Sequence, residues 1–90
     1  EAKILFVSIK PSKARWDRWP LMLEANERLK AFAESHPMMS YVDAATVLLN
    51  EAGEPNGDYF ISDDLHLNKN GYAVWRDTIK PAVAAMFQPQ

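Results

Sequence analysis

The run ILFVSI, residues 4–9, is the first indication of the fold class of this ninety-residue chain. It is almost continuously apolar and rich in β-branched residues, which is typical of a strand covered on both faces, as in a parallel sheet. Lys10, Pro11 and Ser12 follow the run and end it. Because a parallel partner strand can be reached only through a crossover, the segments that follow must supply one.

The next segments have the pattern of such a crossover. Between Trp19 and Ser35 the apolar residues recur every three or four positions with charged residues between them, which predicts an amphipathic helix. Pro20 suits the first turn of this helix and Pro37 ends it. The stretch MSYVDAA, residues 39–45, predicts a second strand. The order strand, helix, strand therefore predicts a right-handed crossover and a parallel pair.

A turn-rich loop over residues 50–58 leads to a second predicted helix near the end of the sequence. Asn68 is its natural N-cap, because an Asn side chain can accept a hydrogen bond from a backbone N–H one turn on. Pro81 has no backbone donor, so we expect it to kink or split this helix. The predicted fold class is α/β, with parallel strands in the order strand, helix, strand, loop, helix.

Two parallel strands cannot cover their own faces or their outer edges. We therefore expect residues 1–90 to form a single partial domain, one part of a larger α/β domain. The composition, 48% hydrophobic and 24% charged, is that of a globular protein and argues against disorder. The net charge of -2 argues against a nucleic-acid partner. No apolar run approaches the ~18 residues of a membrane span, and the lack of cysteine excludes disulfides and cysteine nucleophiles.

Asp63 and His66 stand three residues apart, just before the second predicted helix. In a Ser–His–Asp arrangement the carboxylate fixes the imidazole tautomer through Nδ1, while Nε2 takes the proton of the nucleophile. A tight turn can bring both side chains to one side of the backbone, and Asp64 between them would then point elsewhere. The D-x-x-H spacing alone is weak, since an Asp before a helix is more often a turn or capping residue.

The longer block DDLHLNKNGY, residues 63–72, resembles the last motif of the SGNH or GDSL-type serine esterases and acylhydrolases. That family motif has a form like D-G-L-H-L-N-x-x-G-Y, often with Gly where this chain has Asp64. The stretch FVSIKPS, residues 6–12, with Arg15-Trp16 after it, also resembles a bacterial subgroup of these enzymes. So does Tyr41-Val42-Asp43 before the turn-rich loop.

The resemblance implies that His66 is the general base and then the general acid, and that Asp63 orients it. It implies the C-terminal half of a flavodoxin-like, three-layer α/β/α SGNH-hydrolase fold. It also implies hydrolysis of carboxylic esters, or of acyl groups carried by a small molecule, a lipid or a carbohydrate, without a cofactor or a metal. Many members of the family are periplasmic or secreted, and a chain without cysteine is compatible with either compartment.

The family's nucleophilic Ser lies in a G-D-S block, and no serine of this chain stands in such a context. By the resemblance, the N-terminal half with the nucleophile is absent from these ninety residues. Removing one member of a triad typically lowers turnover by roughly 10⁴ to 10⁶. We therefore expect the ninety residues alone to have no esterase activity, and we expect them to associate with the missing half or with a second copy.

Other interpretations of the same residues stay open. Asp43, at the end of the second predicted strand, competes with Asp63 as the orienting acid. Asp63, Asp64 and His66 could instead ligate Mg²⁺, Mn²⁺ or Zn²⁺, although a structural zinc site needs four ligands. Trp16, in the loop after the first strand, is a candidate to line a substrate pocket. The alternative function is a non-catalytic α/β module that pairs with another chain through its sheet edges.

Overall fold

The computed structural model describes residues 3–87 and has a mixed α/β architecture. Its main elements are β1 (Ile4–Val7), α1 (Trp19–Glu34), β2 (Met39–Val42) and α2 (Lys69–Met86). The strands β1 and β2 form a two-stranded parallel sheet, in register from Ile4 opposite Met39 to Val7 opposite Val42. The mixed α/β class and the parallel pair predicted from the sequence are therefore confirmed.

The helix α1 begins at Trp19 with Pro20 in its first turn, as the sequence predicts. It packs mainly against β2. Its Asn26 is buried on the inner face of the helix and is hydrogen-bonded to the segment that follows β1. The Asn26 Oδ1 atom accepts from the Ile9 backbone N–H at 2.8 Å, and its Nδ2 donates to the Ile9 carbonyl at 3.1 Å. Because both ends of the amide are satisfied, this buried polar side chain fixes the position of α1 without an unmet hydrogen bond.

The second strand is shorter than predicted, because β2 ends at Val42 and not at residue 45. The carboxylate of Asp43 accepts hydrogen bonds from the backbone N–H groups of Ala45 at 2.9 Å and Thr46 at 3.1 Å. An Asp side chain that binds backbone groups ahead of it offers the chain an alternative to the strand ladder. The chain therefore turns at Asp43 into a short 3-10 turn, Thr46–Leu48.

The helix α2 has the predicted N-cap, since the Asn68 side chain accepts from the Gly71 backbone N–H at 2.8 Å. Of the kink or split predicted at Pro81, the split does not occur, because α2 continues through Pro81 as one helix. Pro81 removes the donor that would pair with the carbonyl of Asp77, four residues earlier. Both residues are exposed, so water can satisfy that carbonyl and the helix can continue.

The main apolar core lies beneath the loop before α2 and not between the sheet and α1. It consists of Leu48, Phe60 and Leu67, with Tyr59 and Trp75 packed against it. Several large apolar side chains lie outside it and are exposed, among them Ile4 at 44%, Phe32 at 48% and Val83 at 40%. Over residues 3–87, no helix combines the length and the apolar character that crossing a bilayer requires.

Candidate active site

The loop that carries Asp63 and His66 is a compact turn held at its base by the core. The buried Phe60 and Leu67 pair as an antiparallel bridge at the two ends of the turn. Inside that bridge, the Ile61 backbone N–H donates to the His66 carbonyl at 2.9 Å, and the Asp64 N–H donates to the Ile61 carbonyl at 3.0 Å. The turn therefore projects from the core in a conformation fixed by its own backbone.

The Asp63 carboxylate organises the tip of this turn and contacts the imidazole of His66. Its Oδ1 atom accepts from the backbone N–H groups of Leu65 at 2.9 Å and His66 at 3.0 Å. Its Oδ2 atom lies 2.6 Å from Nδ1 of the His66 ring. One carboxylate thus closes the turn and orients the ring. The spacing of three residues has a geometric reason, because an Asp side chain reaches the N–H groups two and three positions ahead.

The hydrogen bond from the His66 ring is the main cause that lowers the pKa of Asp63 to about 2, and the backbone N–H groups of His66 and Leu65 lower it further. Asp63 is therefore ionised at neutral pH. Its carboxylate accepts from Nδ1–H, which leaves the lone pair of the neutral ring on Nε2. The His66 side chain is 64% exposed, and within residues 3–87 its ring makes hydrogen bonds through Nδ1 alone. The arrangement can accept a proton at Nε2 from a group that approaches the loop.

Asp64 takes no part in the contact between Asp63 and His66. Its φ of 56° places it in the left-handed region, which favours glycine and which Asp tolerates better than most residues. This is the position at which the chain departs from the D-G-L-H form, and the backbone here has the conformation that glycine suits best. The Asp64 carbonyl accepts a hydrogen bond from the Ala14 backbone N–H at 3.1 Å.

The loop after β1 supports the turn from one side, a role that sequence reasoning missed. Besides the contact from Ala14, the Lys10 Nζ atom donates to the Leu65 carbonyl at 3.1 Å across 55 positions of the sequence. Both acceptors are backbone carbonyls. Since every residue has a carbonyl, no pattern of side chains in the sequence could have indicated these contacts.

Trp16 lies close to this support and lines a groove. Its half-buried ring stacks on Trp19 with ring centroids 5.8 Å apart and an angle of 12° between the planes. The groove has a volume of about 380 Å³, and the residues that line it with Trp16 are Lys13, Glu54, Pro55, Gly57 and Asp64. The predicted pocket residue thus shares a groove with the neighbour of Asp63. Its part in binding a substrate stays a prediction.

Asp43, the competing orienter, is occupied elsewhere. Besides its bonds to the backbone N–H groups of Ala45 and Thr46, its Oδ2 accepts from the Thr46 hydroxyl at 2.6 Å. Burial raises the pKa of Asp43, but these hydrogen bonds outweigh it and hold the pKa below its usual value. None of its hydrogen bonds within residues 3–87 goes to His66. Of the two acids, the structure places Asp63 against the ring.

The described serines do not pair with His66. Ser8 and Ser12 are buried, and the Ser8 hydroxyl accepts from the Ala44 backbone N–H at 2.8 Å. Over residues 3–87 no serine hydroxyl is hydrogen-bonded to the His66 ring. In the same part of the chain, no group of three or more His, Cys, Asp or Glu side chains is placed to hold a metal ion.

Asp63 and His66 are therefore brought together as the sequence predicted, while their catalytic role stays a prediction. A scan against protein-family models and searches of curated proteins and of solved structures found no match to this chain.

Proposed function

We propose that His66 and Asp63 are the acid–base residue and the orienting residue of a serine hydrolase of the SGNH or GDSL type, which cleaves carboxylic esters or acyl groups. The observation that supports this most is the 2.6 Å contact from Nδ1 to Oδ2 on an exposed turn. A carboxylate held by two backbone N–H groups has little freedom to leave the ring. This is the orienting function that a triad requires of its acid.

In this proposal, Nε2 of His66 takes the proton of a serine hydroxyl as the oxygen attacks the ester carbonyl carbon. Asp63 stabilises the imidazolium that forms, because its carboxylate is ionised and already bound to Nδ1. His66 then gives the proton to the leaving alcohol oxygen. The acyl group remains on the serine until water attacks it, and His66 serves as the base for that step too.

The serine and the donors that stabilise the oxyanion come from a segment outside these ninety residues. We assign the chain to the C-terminal part of a flavodoxin-like, three-layer α/β/α domain, in which β1 and β2 belong to a wider parallel sheet. The exposed apolar side chains, such as Ile4 and Val83, support this assignment, because added strands and helices would cover them.

Turnover of a short-chain ester by the protein joined to its nucleophile segment tests the proposal. His66→Ala should lower kcat by about 10⁴ to 10⁶, and Asp63→Asn by about 10⁴, since the ring then loses its tautomer and orientation. His36→Ala is the matched control, because His36 binds the end of α1 at the Phe32 carbonyl. Retention of turnover after His66→Ala would contradict the proposed role.

A second candidate function is supported by the edges of the sheet. Within the described residues each strand has only one neighbour, so one edge of β1 and one of β2 are unpaired. Unpaired edges with apolar side chains favour addition of a strand from another chain. We propose pairing with another chain or a second copy as the alternative, in which the module has no catalytic part.

A serine-reactive fluorophosphonate separates the two functions. The hydrolase, with its nucleophile segment, should be labelled, and labelling should fall after His66→Ala because the serine is no longer activated. The ninety residues alone should not be labelled. A protein that forms dimers by light scattering but is not labelled in any form would favour the binding module.

A further inference from the structure

We infer that the groove beside Trp16 binds a sugar ring, so that the substrate class is an acylated carbohydrate. The groove is formed by three segments of the chain that the fold brings together, and its lining residues are Lys13, Trp16, Glu54, Pro55, Gly57 and Asp64. Binding of a sugar can be tested on the chain itself. The step from sugar binding to an acylated substrate rests on the proposed hydrolase function.

The aromatic wall of the groove is flat and one-sided. Trp16 and Trp19 are nearly parallel, and Trp19 covers one face of Trp16 without lining the groove itself. Trp16 is therefore the aromatic residue that the groove offers to a ligand. An indole face is apolar and carries partial negative charge, so it suits the C–H groups on one face of a pyranose ring.

The polar part of the groove has groups of both signs. Lys13 supplies donors, while Glu54 and Asp64 supply acceptors. Sugar hydroxyls both donate and accept, so they can satisfy all three groups. An acyl chain would desolvate these charges without replacing their hydrogen bonds. A quaternary ammonium ion is bound best by several aromatic faces around it, whereas a stacked pair presents one.

The size and rigidity of the groove also fit a small ring. Its volume of about 380 Å³ falls within the ~300–1,000 Å³ typical of ligand pockets. The wall that carries Glu54 is fixed by Asn50, whose backbone N–H donates to the Glu54 carbonyl at 2.7 Å and whose Oδ1 accepts from the Glu54 N–H at 3.1 Å. Asp64, which also lines the groove, is held by the hydrogen bond from the Ala14 backbone N–H to its carbonyl. A pre-formed groove loses little entropy when it binds.

The groove lies next to the turn that carries Asp63 and His66. Asp64 lines the groove and is the neighbour of Asp63, which orients His66. A sugar stacked on Trp16 would lie beside the turn, so an ester on one of its hydroxyls could be directed toward His66. In this arrangement Trp16 is a binding residue, and it takes no part in the proton transfers.

The test is a titration of the isotope-labelled ninety-residue chain with three methyl pyranosides, the β-glucoside, β-xyloside and β-galactoside. The indole N–H signal of Trp16 should shift and saturate with at least one of them, while that of Trp75, which packs against the core away from the groove lining, should not. Trp16→Ala should weaken binding by about tenfold, the upper range for one aromatic contact. Should that variant fail to fold, the Trp16 signal of the unmodified chain decides the question.

Three results would overturn the inference: no saturable shift with any of the three sugars, a response to choline chloride only, or undiminished affinity in a folded Trp16→Ala chain. His66→Ala should bind the sugar as the unmodified chain does. Sugar binding with ester turnover that survives His66→Ala would remove the hydrolase function and leave the sugar site. Turnover that depends on His66, without any sugar response at Trp16, would remove the sugar site alone.

Discussion

The turn that carries Asp63 and His66 and the two-stranded sheet differ in where their stabilising contacts come from. In the turn, most of the hydrogen bonds join residues a few positions apart, the buried Phe60 and Leu67 close its base, and the loop after β1 adds two long-range bonds. In the sheet, each strand has one neighbour and Ile4 at its start is 44% exposed. The difference indicates that the candidate site is formed mainly by its own local sequence, whereas the sheet depends on further contacts for full burial.

This difference has a consequence for how the molecule should respond to substitution. Changes at the base of the turn should destabilise the ninety-residue chain, because the main core lies there. Changes at the free edge of the sheet should affect association more than stability. Substitutions in the two regions should therefore have different effects on stability and on association.

Gly71→Ala should have the largest effect on stability. A Cβ atom at Gly71 would lie 2.2 Å from the Tyr59 carbonyl oxygen, so α2 would have to move away from the turn. We expect a loss of about 3 kcal/mol in the free energy of unfolding, the upper range for overpacking. Urea denaturation followed by Trp fluorescence measures it. Gly57→Ala is the matched control, because a Cβ atom there meets nothing within 4 Å. Equal stability of the two variants would contradict the close packing of α2 on the turn.

Asn68→Ala should have the next largest effect. The Asn68 side chain caps α2 through the Gly71 N–H and donates to the Asp58 carbonyl at 2.8 Å. Loss of a cap and of a hydrogen bond should together cost about 2 kcal/mol. Asn70→Ala, at an exposed position in the first turn of α2, should leave the urea midpoint nearly unchanged. A similar midpoint for both variants would show that Asn68 does not anchor the turn.

The same contrast explains how far the sequence could predict the structure. The period of three to four residues placed α1 within one residue of its observed end, and the Asn68 cap placed the start of α2. Both predictions depend on side chains that lie close together in the sequence. The end of β2 was misplaced because Asp43 has a short-range alternative, the capture of two backbone N–H groups. The apolar residues Ala44 and Ala45 that follow Asp43 in the sequence do not reveal that competition.

In the candidate site, too, the sequence could predict the local contacts but not the long-range ones. Asp63 and His66 contact one another because their spacing and an Asp turn dictate it. The contacts of Lys10 and Ala14 with the turn were not predictable, because they are long-range and end on backbone carbonyls. The groove at Trp16 depends on the same long-range contacts, so the sequence indicated the residue but not the residues that face it.

Ile4→Lys should change the stability of the monomer by less than about 0.5 kcal/mol, since the side chain is already exposed. If the free edge of β1 pairs with another chain, the same substitution should weaken that association, because charged side chains on an edge strand oppose pairing. Light scattering over a range of concentrations, with Lys3→Arg as the charge-conserving control, measures this. A large loss of monomer stability would show that β1 is better packed than its exposure indicates.

Acid should weaken the turn by a small amount. The folded pKa of Asp63, about 2, lies below its ordinary value of 3.8, so the carboxylate stabilises the fold above that ordinary value. This contribution should be lost as the pH falls from about 4 to about 2. The urea midpoint of the unmodified chain should therefore fall more over this range than that of Asp63→Asn. Identical pH dependence in the two chains would mean that the contact with His66 is absent in solution.

The protonation of the His66 ring in solution tests most directly whether Asp63 orients it as a base. The ¹⁵N chemical shifts of the ring, measured in the labelled chain near pH 8 with His36→Gln used to assign the signals, report which nitrogen carries the proton. We expect a proton on Nδ1 and none on Nε2, and a shift toward the Nε2–H tautomer in Asp63→Asn. A His66 ring that carries its proton on Nε2 in the unmodified chain would contradict the proposed arrangement.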